Sequence, residues 1–174
     1  MKQYLKVALV LTLITSICAV MIALLNRVTE PIIEKNAYDK EQATLSVMFS
    51  DATFEESEFV KDYSEIEKKF IAKSKADEAT IGYVYIVSGK NAYGTIRLMV
   101  AVKHDKAIKV EVMDNTESFK KNVNTFIEDK VKASELDSAQ VEELDVKCGA
   151  TYGAKLVQNL IRVVLKEAGG VMDD

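Results

Sequence analysis

From Val7 to Asn26 the chain is uncharged and almost wholly apolar (VALVLTLITSICAVMIALLN). A helix of that length spans roughly 30 Å, the hydrocarbon thickness of a bilayer, so residues 7–26 are predicted to cross a membrane. Thr12, Thr15 and Ser16 are compatible with this, because a helical hydroxyl can bond back to a carbonyl of the preceding turn. A cleaved secretory signal would have a shorter apolar core, roughly 7–15 residues, and a small-x-small cleavage site. Ala23-Leu24-Leu25-Asn26 is a poor site of that kind, and the segment reads as a retained anchor. Lys2 and Lys6 precede the span, whereas basic Arg27 and Lys35 are offset by Glu30 and Glu34 after it. The positive-inside rule then places residues 1–6 in the cytoplasm and everything after Arg27 outside.

Beyond the span the patterning changes. Thr29-Glu30-Pro31 carries helix-start chemistry and predicts a helix running to about Phe49, with Ile33, Ala37, Leu45 and Met48 as apolar points. Residues 51–79 are charge-rich with scattered aromatics, and predict a short strand or loop followed by a surface helix. Tyr83, Tyr85 and Val87 alternate with Gly82, Val84 and Ile86, a strand pattern that ends at the turn residues Ser88-Gly89-Lys90-Asn91. Residues 94–102 (GTIRLMVAV) and 107–113 (AIKVEVM) predict two more strands, joined through His104-Asp105-Lys106 as a hairpin. Residues 116–130 and 133–143 are expected to be helical or irregular. Val157, Leu160, Ile161, Val164, Leu165 and Ala168 recur at helical spacing, predicting an amphipathic helix from near Thr151 to Gly169-Gly170. The expected fold class is α+β, helices on a mainly antiparallel sheet. The expected divisions are residues 1–6, the span 7–26, an exported helical or linker region 27–80, and a final domain 81–174.

Composition narrows the function. A chain of 174 residues, 48% hydrophobic and 29% charged, holds one ordinary domain besides the anchor and is not disordered. Its net charge of −4 offers no footprint for nucleic acid. Two cysteines and one histidine exclude a disulfide scaffold and leave few ways to build a zinc site. Cys18 lies in the span, and His104 falls in a predicted turn between charged residues. No Walker loop, dinucleotide fingerprint, CxxC or HExxH occurs.

One segment stands out: Asp145-Val-Lys-Cys148-Gly149-Ala150-Thr151-Tyr-Gly-Ala-Lys155. Small residues lead into a threonine at the mouth of a well-patterned helix, where free N–H groups and the dipole favour a phosphate. The same residues also suit a plain threonine N-cap behind a glycine turn, and the residues alone leave both readings open.

DVKCGAT resembles the flavinylation motif, D-x-x-[S/T]-G-A-[S/T], of the membrane-anchored FMN-binding proteins. Among them are the RnfG-type subunits of Rnf electron transport complexes and the related flavin-carrying C subunits of the sodium-pumping NADH:quinone reductase. Asp145, Gly149, Ala150 and Thr151 match, while Cys148 replaces a hydroxyl residue. Asn26-Arg-Val-Thr29-Glu-Pro31-Ile-Ile33 is similar to the family's N-x-x-T-x-P-x-I after its span, and Ala92-Tyr93-Gly94-Thr95-Ile96 to its GYGG-x-I strand. The family's E-T-P-G-L-G loop corresponds to residues 115–120 (NTESFK), where Thr116 matches and Phe119 stands where a leucine contacts the flavin ring.

The resemblance implies FMN bound covalently to Thr151 through a phosphoester made by a separate flavin transferase that uses FAD. Cofactor contacts are implied for Asp145, Cys148, Gly149, Ala150, Thr116 and Phe119. It further implies a component of an Rnf-type ferredoxin:NAD oxidoreductase, in a bacterial or archaeal cell membrane, that couples electron flow to sodium or proton translocation. Its partners would be the other membrane subunits of that complex. Two alternatives stay beside this reading: a stand-alone anchored flavoprotein serving an extracellular acceptor, and a non-redox assembly subunit that carries no flavin.

Overall fold

A computed structural model describes residues 2–59, 63–132 and 135–172. The chain divides into two units, residues 1–42 and 43–174.

The first unit is helical from Lys2 onward. It is formed by α1 (Lys2–Met48), whose last residues belong to the second unit. Thr12 donates to the Ala8 carbonyl at 2.9 Å and Thr15 to that of Thr12 at 3.0 Å, so both threonine hydroxyls in the apolar run are satisfied within the helix. Leu9, Leu13, Ile17 and Leu24 are exposed, and among the described residues α1 alone is long and apolar enough to cross a membrane. The helix start expected at Thr29 does not occur. The Thr29 hydroxyl instead donates back to Leu25 O at 2.8 Å, and Pro31 lies inside the helix.

The second unit is built on one antiparallel meander of five strands in chain order: β1 (Ala52–Ser57), β2 (Ile66–Ser74), β3 (Thr80–Asn91), β4 (Gly94–Lys103) and β5 (Lys106–Asn115). The three strands expected between residues 82 and 113 are present. Where a surface helix is expected before them, the described residues form β2 instead, which pairs with β3 along its length, Phe70 opposite Val84. The sheet therefore starts well ahead of residue 81.

Side chains alternate across the sheet as a two-residue period requires. Tyr85, Val87, Leu98, Val100 and Val110 face one core, completed by the helices of the C-terminal half. Val84, Ile86, Met99 and Met113 face a second core with Leu45 and Met48 from the end of α1. Lys109 Nζ donates to Val47 O at 2.8 Å and so satisfies a carbonyl of that helix end. His104 and Asp105 both have positive φ, 50° and 57°, the requirement of a two-residue type I′ hairpin, and connect β4 to β5.

After β5 come α2 (Lys120–Phe126), a π-helical turn (Ile127–Val131) and α3 (Ser138–Glu142). Asp137 and Gln140 close a capping box on α3 at 2.9 and 3.0 Å. Residues 133–134, the start of the second stretch expected to be helical or irregular, lie outside the described residues. The last helix, α4 (Thr151–Met172), opens where expected and runs past Gly169-Gly170. Val157, Leu160, Ile161, Val164 and Leu165 are buried against β3 and β4.

One ion pair crosses this core. Lys69 Nζ of β2 meets Glu167 Oε1 of α4 at 2.9 Å, with side chains 5% and 1% exposed. The ammonium also sits 5.1 Å from the Tyr83 ring centre and 5.4 Å from that of Tyr85. Burial, together with the neighbouring Glu167 carboxyl, pushes the Tyr85 phenol well above its ordinary range.

Candidate functional site

The segment from Asp145 to Thr151 is the connection from α3 into α4. The Asp145 carboxyl accepts the Lys147 N–H at 3.1 Å, an Asx turn that begins the bend. Gly149 completes it at φ +78°, in the left-handed region that an L side chain rarely adopts. Ala150 is the residue at the cap: its carbonyl accepts the Ala154 N–H at 3.0 Å, the first bond of α4, and an alanine side chain contributes nothing to capping. Thr151 is thus the first helical residue. It is exposed, and its hydroxyl forms no hydrogen bond among the described residues. The plain N-cap reading of this threonine does not hold.

Thr151 opens onto a cavity of about 240 Å³ lined by Tyr93, Glu117, Phe119, Gly149, Ala150, Tyr152 and Gly153. Its three aromatic rings come from separate elements: Tyr93 from the β3–β4 turn, Phe119 from the start of α2 and Tyr152 from α4. Tyr93 meets Phe119 edge-on at 5.8 Å between ring centres and Tyr152 at 5.7 Å with a 40° tilt. All three are substantially exposed, an unusual placement for clustered rings in a chain with buried cores on both sides of its sheet.

The turn and the loop behind the cavity are held together. Asn91 Oδ1 accepts the N–H groups of Tyr93 and Gly94 at 2.7 and 3.1 Å. Ser118 N–H donates to Tyr93 O at 3.1 Å. At Gly94, with φ +154°, a Cβ would lie 2.6 Å from Glu117 Cα, so glycine permits the loop to close onto β4.

Glu117 is buried, 3% exposed, beneath the first turn of α4. Asn91 Nδ2 donates to its Oε1 at 2.5 Å, while Oε2 has no hydrogen-bond partner among the described residues.

The residues expected at a site separate into groups. Gly149, Ala150, Thr151 and Phe119 share the aromatic cavity. Asp145 and Cys148 line a neighbouring cavity of about 460 Å³ with Lys121, Lys130 and Lys147. Asn122 stands between the two and donates to Cys148 O at 3.1 Å. Thr116 lines neither of these two cavities; its hydroxyl accepts the Thr95 N–H at 2.9 Å and extends the β4–β5 ladder. Tyr93, Tyr152, Glu117 and Gly153 are cavity residues that the sequence does not mark as such. An aromatic immediately after Thr151 is the one local signal available for any of them.

This arrangement defines a class: an α+β protein with one membrane-length helix, and an uncommitted hydroxyl at a helix N-terminus beside a three-aromatic cavity. Residues 1–48 match the family model described as the RnfG N-terminal region. The matched segment is α1, a little over a quarter of the chain, and it is similar to the corresponding region of the RnfG components of Rnf complexes. No curated protein matches the chain.

Proposed function

We propose that the chain is the membrane-anchored FMN-carrying component of an Rnf-type complex, with α1 holding it in the cell membrane, its N-terminus cytoplasmic and the sheet outside. FMN is attached to Thr151 by a flavin transferase, and the neighbouring membrane subunits exchange electrons with it while they carry sodium or protons. The observation that carries this reading is the Thr151 hydroxyl, exposed at the first position of a 22-residue helix and spent on no hydrogen bond among the described residues.

The surroundings fit a flavin mononucleotide. The free N–H groups of the first turn of α4 and its dipole suit a phosphate esterified at Thr151. Gly149 and Ala150 keep side chains away from it, and Tyr93, Phe119 and Tyr152 offer apolar faces to a flat ring. When bound, the flavin supplies the one- and two-electron chemistry, and the chain itself needs no acid or base catalyst. Its own residues anchor, shield and tune.

The test is in-gel flavin fluorescence after denaturing electrophoresis, with wild type and Thr151→Ala expressed beside a flavin transferase. A fluorescent wild-type band and a dark mutant band are expected. A dark wild-type band, with a control protein flavinylated in the same cells, refutes covalent attachment and leaves the non-redox assembly reading.

A further inference from the structure

The aromatic cavity is lined by one carboxyl group, which the covalent link does not use. Glu117 enters it from beneath α4, with Oε1 held by Asn91 and Oε2 unpartnered among the described residues. A buried carboxylate oxygen without a donor is costly, and native sites supply such a donor from a ligand, a water or the protein. The loop that carries Glu117 is fixed, its backbone N–H donating to Asn115 Oδ1 at 3.0 Å. Gly153 is the counterpart of this placement, because a Cβ there would lie 2.6 Å from both carboxyl oxygens. The carboxyl is therefore held in the cavity wall by Asn91 and by its fixed backbone, in space that Gly153 leaves open.

Resting on the reading that Thr151 carries FMN, we propose that Glu117 is a positioning and tuning residue: its Oε2 accepts a hydrogen bond from the flavin, and its negative charge lowers the flavin's midpoint potential. Flavin donors of the required chemistry are the N3–H of the oxidised ring and the hydroxyls of the ribityl chain. A carboxylate beside the flavin opposes the arrival of electrons, and burial of the Glu117 side chain strengthens the repulsion by limiting its screening by water. Replacing it by the near-isosteric amide keeps the shape and removes the charge.

The experiment is a redox titration of the full-length flavinylated chain in detergent, wild type against Glu117→Gln, each first checked for covalent fluorescence in the gel. The expected result is equal fluorescence in both, with the Gln variant at least tenfold easier to reduce, about 30 mV upward for a two-electron couple. Equal fluorescence with an unchanged potential overturns the proposal and leaves the FMN assignment standing. A dark wild-type band instead refutes the FMN assignment itself.

A second measurement needs no variant. Redox-induced infrared difference spectra of wild-type protein labelled with 13C-glutamate are expected to show a carboxyl band that shifts on reduction, and a spectrum without one overturns the proposal. With 15N-flavin, a protected N3 proton identifies the ring as the donor, and a freely exchanging one identifies the ribityl hydroxyls.

Discussion

Gly153 and Gly169 lie in the same helix, and replacing each by alanine is expected to shift stability in opposite directions. Glycine in a helix interior costs roughly 0.5–1 kcal/mol relative to alanine through backbone entropy, so the intrinsic effect of either substitution is a gain. At Gly169 a Cβ meets nothing within 4 Å, and that gain should be realised. At Gly153 the new methyl would lie 2.5 Å from Val123 Cγ2 and 2.6 Å from both Glu117 carboxyl oxygens. Ordinary heavy-atom contacts are about 3.5–4.0 Å, so neighbours on two sides must give way by roughly 1 Å. Neither is free to do so, because Val123 is fully buried and Glu117 is held by Asn91. Overpacking of this kind costs about 1–3 kcal/mol, which exceeds the propensity gain. Gly153→Ala should therefore destabilise by about 1 kcal/mol, and Gly169→Ala should stabilise by a few tenths to ~1 kcal/mol. Urea unfolding of the full chain in detergent, followed by tyrosine fluorescence, compares the two midpoints at constant slope. A midpoint raised as much by Gly153→Ala as by Gly169→Ala would refute the placement of Glu117 beneath α4.

The buried Lys69–Glu167 pair gives a second test: Lys69→Met should cost about 3–5 kcal/mol by stranding Glu167, whereas Lys69→Met with Glu167→Leu should recover most of that loss. Additive losses in the double mutant would show that the two groups do not interact. Tyr85 yields a pH dependence. Its phenol is raised above the ordinary tyrosine value of about 10, so the stability it contributes is complete below that pH and is lost as the pH rises and the unfolded chain ionises first. Tyr85→Phe should flatten the alkaline limb of the stability profile above about pH 10 while changing neutral stability little, since the hydroxyl has no hydrogen-bond partner among the described residues. An unchanged alkaline limb would count against burial of that phenol.

What can be read from the sequence depends on whether the signal is local. The uncharged run 7–26 and the alternation around Tyr83–Val87 each declare an element within a few residues. β2 escapes such a reading because IEKKFIAKS places Lys69 on the core face, and its partner Glu167 lies 98 residues away. Thr29-Glu30-Pro31 imitates a helix start, yet the hydroxyl is absorbed by the preceding turn and the chain continues as helix. The site divides in the same way. The glycine turn and Thr151 sit together at a loop–helix junction and can be read there. Tyr93 and Glu117 reach the cavity through strand pairing and the β3–β4 turn, which no short window contains.

The meander has a consequence for the order in which this protein is made. Each strand pairs with the one before it, so the sheet can assemble progressively as the chain is delivered residue by residue. The cavity cannot, because its walls come from residues 93, 117–119 and 149–153, and α4 is the last element to arrive. A chain interrupted before Thr151 would lack the α4 wall of the cavity and leave the β3–β4 face beneath that helix uncovered. Any ligand that fills this cavity therefore meets a chain in which β-sheet, loop and α4 have already come together, so occupancy of the cavity would report on folding of the second unit.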